Sequence, residues 1–267
     1  MRSASNGSWR PRLVALDIDG TVVDRDGVLP DYVRRAIGLV VNAGVPVVLA
    51  TGRSWHGTRQ VFEDLELPPG SSVASNGAVI VSYPPETIVK AITFDPREVI
   101  AKVVEFAPGT LIAVEEIGRG YRLNDHFPGG DLTGEMIIED IEQLSSRPVT
   151  RVILRDPNRS DEDFVTLARH LGLKGVTYFV GWSAWLDIAP RGVSKATALR
   201  DIATDLGVDA ADVLAFGDGR NDIDMLTWAG RGVAIGDAPE EVQRAADAVS
   251  DTLADGGPAA ELWHWFG

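Results

Sequence analysis

The sequence has no cysteine among its 267 residues. That excludes a disulfide framework and any metal site built on thiolates. Histidine is scarce, and His56, His126, His170 and His264 show none of the spacings of an imidazole metal centre. No apolar run is long enough to span a bilayer, so no membrane partner is expected. Met1 to Arg12 carries Ser, Asn, Gly and Arg but no apolar stretch of the kind a secretory signal needs. It reads as a loose tail, and the expected location is cytoplasmic. Positive charge is in deficit: 25 Lys and Arg against 39 Asp and Glu leave a net charge of −14. That argues against a nucleic-acid partner, because phosphate backbones are bound by an excess of Lys and Arg. The acidic surface serves solubility, and an anionic substrate would need locally placed cations or a metal. Internal repeats and low-complexity tracts are also missing.

What is present is ordinary globular material, 45% hydrophobic and 24% charged, enough for one large domain or two modest ones. Three short apolar stretches stand out, because each runs directly into polar punctuation. Leu13-Val14-Ala15-Leu16 leads into Asp17-Ile18-Asp19-Gly20-Thr21. Val45 to Ala50 leads into Thr51-Gly52-Arg53. Val213-Leu214-Ala215-Phe216 leads into Gly217-Asp218-Gly219-Arg220-Asn221-Asp222. Apolar, partly β-branched runs of this length read as buried strands. Helices are expected between them, at about Asp31 to Ala43, Ser54 to Leu65 and Ser194 to Leu206, and at Pro239 to Ala246 and Ala259 to Phe266 near the end. Gly232 to Ile235 reads as a further core strand. This is a doubly wound, Rossmann-like parallel sheet, and such sheets gather their functional groups beyond the carboxyl ends of the strands.

Between Tyr83-Pro84-Pro85 and Ala189-Pro190-Arg191-Gly192 the pattern changes to that of an α+β insert with an antiparallel sheet. Within it are a helix over Pro96 to Ala107, a hairpin of Thr110 to Glu116 with Gly120 to Leu123, and loop from Asn124 to Glu135. A strand at Val149 to Leu154, an amphipathic helix at Asp161 to Leu171, and strands at Val176 to Val180 and Trp185 to Ile188 complete it. The expected organisation is a discontinuous core, 1–81 and 188–267, with an inserted cap, 82–187.

If the three strands are neighbours, their ends form one site. Clustered carboxylates repel one another and need a cation to stay ionised together. Oxygen-only ligands suit Mg2+. A carboxylate beside such an ion is a competent nucleophile toward phosphorus, giving an aspartyl phosphate. Lys195, at the start of a helix, would supply positive charge, and Thr51 and backbone amides would donate hydrogen bonds.

Four motifs, Asp17-Ile18-Asp19-Gly20-Thr21, Ala50-Thr51-Gly52-Arg53, Gly192-Val193-Ser194-Lys195 and Gly217-Asp218-x-x-Asn221-Asp222, resemble in this order those of the haloacid dehalogenase superfamily. Ser75-Asn76-Gly77-Ala78 and the central insert narrow the resemblance to Cof-like phosphatases with a type C2 cap. The resemblance implies Asp17 as nucleophile and metal ligand, and Asp19 as general acid and then base, its carbonyl on the metal. It implies Thr51, Gly52, Lys195 and Asn221 on the phosphoryl group, and Asp218 and Asp222 at the metal. The implied activity is Mg2+-dependent hydrolysis of a small phosphate monoester, foremost a sugar phosphate; the oligomeric state, monomer or homodimer, is open. A phosphomutase or phosphotransferase would use the same Asp17 chemistry. A receiver-like phosphoacceptor would have no acid at the position of Asp19 and no cap. Arg53 is open between phosphate and a neighbouring acid. His56 is a candidate pocket residue, Trp182 and Trp185 are open between buried packing and stacking on a substrate ring, and Arg119, Arg122 and Asn124 in the cap hairpin are open between exposed loop and contact with the leaving group. Trp263 and Trp265 are expected to pack the last helix on the core.

Overall fold

The computed structural model describes residues 9–129, 132–156, 160, 163, 166, 176–180 and 185–267. The strands in chain order are β1 (Leu13–Leu16), β2 (Val47–Leu49), β3 (Gly70–Ala74), β4 (Val79–Tyr83), β5 (Thr87–Ala91), β6 (Leu111–Glu116), β7 (Gly120–Leu123), β8 (Glu135–Ile138), β9 (Val152–Arg155), β10 (Val176–Val180), β11 (Trp185–Pro190), β12 (Val213–Gly217), β13 (Arg231–Ala234) and β14 (Ala248–Val249).

A five-stranded sheet of order β14-β13-β12-β1-β2, parallel throughout, forms the core. Strand β1 is an interior strand, between β12 and β2, and all four of its side chains are wholly buried because helices cover both faces. The period of two decides which face each joins. Val14 and Leu16 pack with the helices Asp31–Asn42, Trp55–Asp64 and Gly257–Phe266. Leu13 and Ala15 pack with Lys195–Asp205, Ile223–Trp228 and Glu240–Ala245. Burying one such aliphatic side chain contributes roughly 1.5–3 kcal/mol, which anchors the strand whose end carries Asp17. β2 and β12 flank β1 directly, so the three polar strand ends lie side by side. The doubly wound reading of the core is what the structure shows.

A second sheet, antiparallel and of order β3-β4-β5, is joined to the first by a parallel bridge between Ala50 and Val73. The third, of order β10-β11-β9-β6-β7-β8, is antiparallel except for the β7–β8 pair. The helix Arg97–Phe106 packs Val99, Ile100 and Val103 against Ile112, Val114, Val152, Leu154 and Leu186 of this sheet.

Four local expectations change. Tyr83-Pro84-Pro85 is not a junction but the turn between β4 and β5, which pair. Strand β11 runs on to Pro190, so crossings at 82 and 188 would cut through paired strands. β8 begins at Glu135, the last residue of the expected loop, and runs through a stretch to which the sequence reading gives no element. It is a largely exposed edge strand preceded by Gly134, and an edge strand carries little apolar alternation to reveal it. The N-terminal segment packs from Trp9 onward, whose ring meets Trp265 edge-on at 4.8 Å and whose indole N–H donates to the Ala211 carbonyl. The helix expected at Asp161 to Leu171 lies outside the described residues, apart from isolated positions. No helix among the described residues is long and apolar enough to cross a membrane.

Candidate active site

Asp17 is the first residue past β1. Its amide still bonds the Phe216 carbonyl at 3.0 Å, so the ladder fixes its backbone, and its side chain is 7% exposed. The chain then turns tightly: the Ile18 carbonyl accepts from the amides of Val22 and Val23, and Ile18 itself is buried. Gly20 stands at φ +76°, and a Cβ there would strike the Asp218 carboxylate. Glycine is therefore required twice over, for its backbone and for its space. Asp19 emerges on the far side of this turn with its side chain 59% exposed. Arg53 grips it in a forked pair, Nη2 to Oδ1 at 2.5 Å and Nε to Oδ2 at 2.9 Å. Of the two roles open to Arg53, the structure shows the pairing with an acid.

Lys195 is wholly buried, the first residue of a helix whose N-cap Ser194 accepts from the Thr197 amide. A cation at a helix start opposes the macrodipole, and the reason for it is visible. Its Nζ donates to Asp17 Oδ1 and to Asp222 Oδ1, each at 2.6 Å. Burial works against the ammonium charge, but the two carboxylates more than offset it and raise the lysine pKa. Asp17 is driven well above the usual carboxylate range by burial and then by Asp222, with Lys195 pulling the other way. Asp218 is pushed up to about 7 by burial and by Asp222. Oxygens of Asp17, Asp218 and Asp222 all lie within 4.8 Å of one another. Such an all-oxygen, mutually repelling set suits a hard divalent cation. Asp222 has both oxygens engaged, Oδ1 by Lys195 and Oδ2 by the Gly219 amide at 2.9 Å.

Thr51 is wholly buried, and its hydroxyl accepts from the Arg53 amide at 3.0 Å. Asn221 donates from Nδ2 to Asn76 Oδ1 at 2.9 Å, and Gly52 lies against the same Asn76. Above these groups is a cavity of about 580 Å³. Asp17, Asp19, Gly52, Asp218 and Asn221 line it on the core side, while Thr51, Lys195 and Asp222 are fully buried and do not. The inserted sheet supplies Tyr121, Arg151, Trp185 and Asp187.

Several of these residues escape a reading of the sequence alone. Asn76, Glu115, Tyr121, Arg151 and Asp187 form one buried polar network. Asn76 Nδ2 donates to Asp187 Oδ2 at 3.0 Å, and Arg151 Nη1 donates to the same oxygen at 3.1 Å. Arg151 also donates to the Gly52 carbonyl and to the Tyr121 hydroxyl. Ser75 Oγ donates to both oxygens of Glu115. Burial raises the Asp187 pKa, against the pull of Arg151. A signal was there to find: an acid in the middle of the apolar strand Trp185-Leu186-Asp187-Ile188, and an arginine abutting Val152-Ile153-Leu154.

Other candidates resolve differently. Trp185 does line the cavity, edge-on to Phe127 at 6.3 Å. His56 is exposed and does not line it. Arg122 is buried and paired with Glu116 and Glu139 at 2.6 and 3.0 Å, Arg119 pairs with Glu135, and Asn124 holds the backbone of Ile112 and Thr110. None of the three lines the cavity. Trp265 packs on the core, whereas Trp263 is exposed. Trp182 and His170 lie outside the described residues.

Residues 14–262 match the profile of the haloacid dehalogenase-like hydrolases. Among curated proteins, the chain is 25% identical over 254 residues to the 5-amino-6-(5-phospho-D-ribitylamino)uracil phosphatase YcsE of Bacillus subtilis, covering 95% of each chain. It is 26% identical over 271 residues to the phosphatase YitU of the same organism, named for the same substrate, over 96% of this chain and 98% of that one. Among solved structures it resembles the phosphatase BT1666 of Bacteroides thetaiotaomicron, with a TM-score of 0.81 at 26% identity, over 99% of this chain and 98% of that one.

Proposed function

Because the chain belongs to the haloacid dehalogenase-like hydrolases and is a phosphatase of that family, we propose that it hydrolyses a small phosphate monoester, in a Mg2+-dependent reaction, through a phosphoryl group carried on Asp17. The observation that carries this reading is the division between two carboxylates of one turn. Asp17 is buried, with one oxygen held by Lys195 at 2.6 Å, and Asp19 is exposed to the same cavity.

The chemistry assigned to these residues is as follows. The free carboxylate oxygen of Asp17 attacks phosphorus, and the bond to the ester oxygen breaks. Asp19, as the carboxylic acid, gives its proton to that departing oxygen. Arg53 must release Asp19 for this transfer, and the phosphate dianion is the competing partner for its guanidinium. Asp19 then removes a proton from the water that attacks the phosphoryl group, and Asp17 leaves as the carboxylate. Lys195 favours the ionised form of Asp17, against the burial that raises its pKa. Thr51, Gly52 and Asn221 would hydrogen-bond the phosphoryl oxygens. Mg2+ would be held by Asp17, Asp218 and the Asp19 carbonyl, with Asp222 supporting Asp218 and Lys195. When bound, the ion neutralises the phosphoryl oxygens.

A cavity of about 580 Å³ fits a small molecule. Its polar groups, with Trp185 beside them, suit a phosphorylated sugar or polyol. The substrate in the names of YcsE and YitU, a phosphorylated ribityl chain on a pyrimidine, is of that class. The test is phosphate release from a panel of sugar phosphates, nucleotides and 5-amino-6-(5-phospho-D-ribitylamino)uracil with Mg2+, run beside Asp17→Asn. Turnover that Asp17→Asn abolishes supports the reading. Turnover of no ester, or full activity in Asp17→Asn, sinks it. Transfer to an added sugar in preference to water would make the protein a phosphotransferase instead.

A further inference from the structure

The turn Ser75-Asn76-Gly77 touches the Thr51–Arg53 segment, the start of the Lys195 helix, the inserted sheet and the loop that carries Asp218. The Ser75 and Asn76 amides bond the carbonyls of Arg53 and Thr51, at 2.8 and 3.0 Å. Gly77, at φ +99°, lies so close to the Ser194 carbonyl, at the start of the Lys195 helix, that a Cβ there would overlap it. Asn76 is 3% exposed and stands at φ 52°. Asparagine tolerates that backbone better than most residues, but glycine would do so with no side chain at all. The side chain therefore has its own use, and both of its ends are spent on distant partners. Nδ2 donates to Asp187 on β11 of the inserted sheet, and Oδ1 accepts from Asn221 in the loop that carries Asp218 and Asp222.

We infer that Asn76 is a positioning residue that ties the seating of the inserted sheet to the loop bearing Asp218 and Asp222. The amide is the middle link of the chain Asp187, Asn76, Asn221. Its outer end is braced by Arg151, which holds Asp187 and the Gly52 carbonyl together. A shift of β11 against the core breaks the first hydrogen bond, and Asn76 is then free to turn and lose the second. The cap and the cation-binding loop thus share one amide. Only the kinetic arm of the test rests on the hydrolase reading.

The test is amide hydrogen exchange on four full-length variants, with kinetics alongside. Asn76→Ala and Asp187→Asn should each speed exchange in residues 217–222 by about tenfold or more, the weight of a buried hydrogen bond to a charged group. Asn76→Asp sets two carboxylates face to face and should be worse. The swap N76D/D187N puts an amide donor back against a carboxylate acceptor, which can still accept from Asn221. It should recover most of the lost protection and raise kcat about tenfold over N76D, with KM little changed. A merely structural asparagine would not respond to the swap. The inference is overturned if Asn76→Ala and Asp187→Asn alter exchange only near residues 74–78 and 185–190, or if the swap is no better than N76D. Should N76D fail to fold, the two single variants decide. Because exchange requires no turnover, a protein inactive on every ester would defeat the hydrolase reading and leave this one to stand or fall separately.

Discussion

Replacing Lys195 by methionine keeps the length and apolar stem of the side chain and removes only the ammonium. In the wild type that ammonium sits between two buried carboxylates at 2.6 Å each, with no solvent exposure. Removing one partner of a buried ion pair costs about 3–5 kcal/mol, because the remaining charge is left without compensation. For a chain of this size about 1 kcal/mol moves the melting temperature by roughly 2 °C, so the metal-free variant should melt roughly 8 °C lower at pH 7. The sign of the pH dependence follows from the shifts. The lysine pKa is raised in the folded state, so its contribution is fully present below the ordinary lysine range and is lost only as pH rises through the higher folded value. Between pH 5 and 9 it is constant. The Asp17 carboxyl is already raised, and without the ammonium it rises further. The folded variant then binds more protons than the unfolded chain, so it gains stability as pH falls. The gap between variant and wild type should be widest at pH 8 and narrow toward pH 5. Thermal melts in EDTA at three pH values check both. A variant melting within about 2 °C of wild type at pH 7, or a gap independent of pH, would refute the reasoning.

Asp19→Asn should lower kcat on alkyl phosphates by about 10²–10⁴-fold and spare the first step with an activated aryl phosphate, giving a burst of aryl alcohol followed by slow turnover. A uniform loss across leaving groups with no burst would contradict the assignment. Gly20→Ala forces a Cβ into Asp218 at a positive φ, so besides a backbone strain of about 1–2 kcal/mol it should weaken divalent-cation binding by calorimetry about tenfold or more. Unchanged affinity would show that Asp218 is not a ligand. Arg122→Ala takes a buried guanidinium from Glu116, which keeps Arg147, and from Glu139, and should cost about 1.5–3 kcal/mol in urea unfolding. KM should stay near wild type, because Arg122 does not line the cavity. A large rise in KM in a folded Arg122→Ala would return it to the binding surface.

The core and its strand-end groups were legible because parallel strands buried on both faces leave continuous apolar runs, and polar residues stop those runs at the site. Asp17, Asp19, Thr51 and Asp218 each follow such a run directly, and Lys195 follows a glycine-ended junction. The inserted sheet was less legible. β8 is an exposed edge strand without alternation, and the Pro84-Pro85 turn looks in sequence like a boundary. The polar network of Asn76, Arg151 and Asp187 was hidden for another reason. Its members lie 36 to 111 residues apart, and only the seating of one sheet on another brings them into contact. Local patterning reports what a segment buries; it does not report which buried polar group it will meet.

The most direct test of the central claim, that Asp17 carries the phosphoryl group, is mass spectrometry of the peptide containing Asp17 after acid quench during steady-state turnover. The expected result is a peptide heavier by one phosphoryl group, sensitive to hydroxylamine, more abundant in Asp19→Asn and absent from Asp17→Asn. An enzyme that turns over substrate with no phosphoryl group on that peptide, in wild type or in Asp19→Asn, would contradict it.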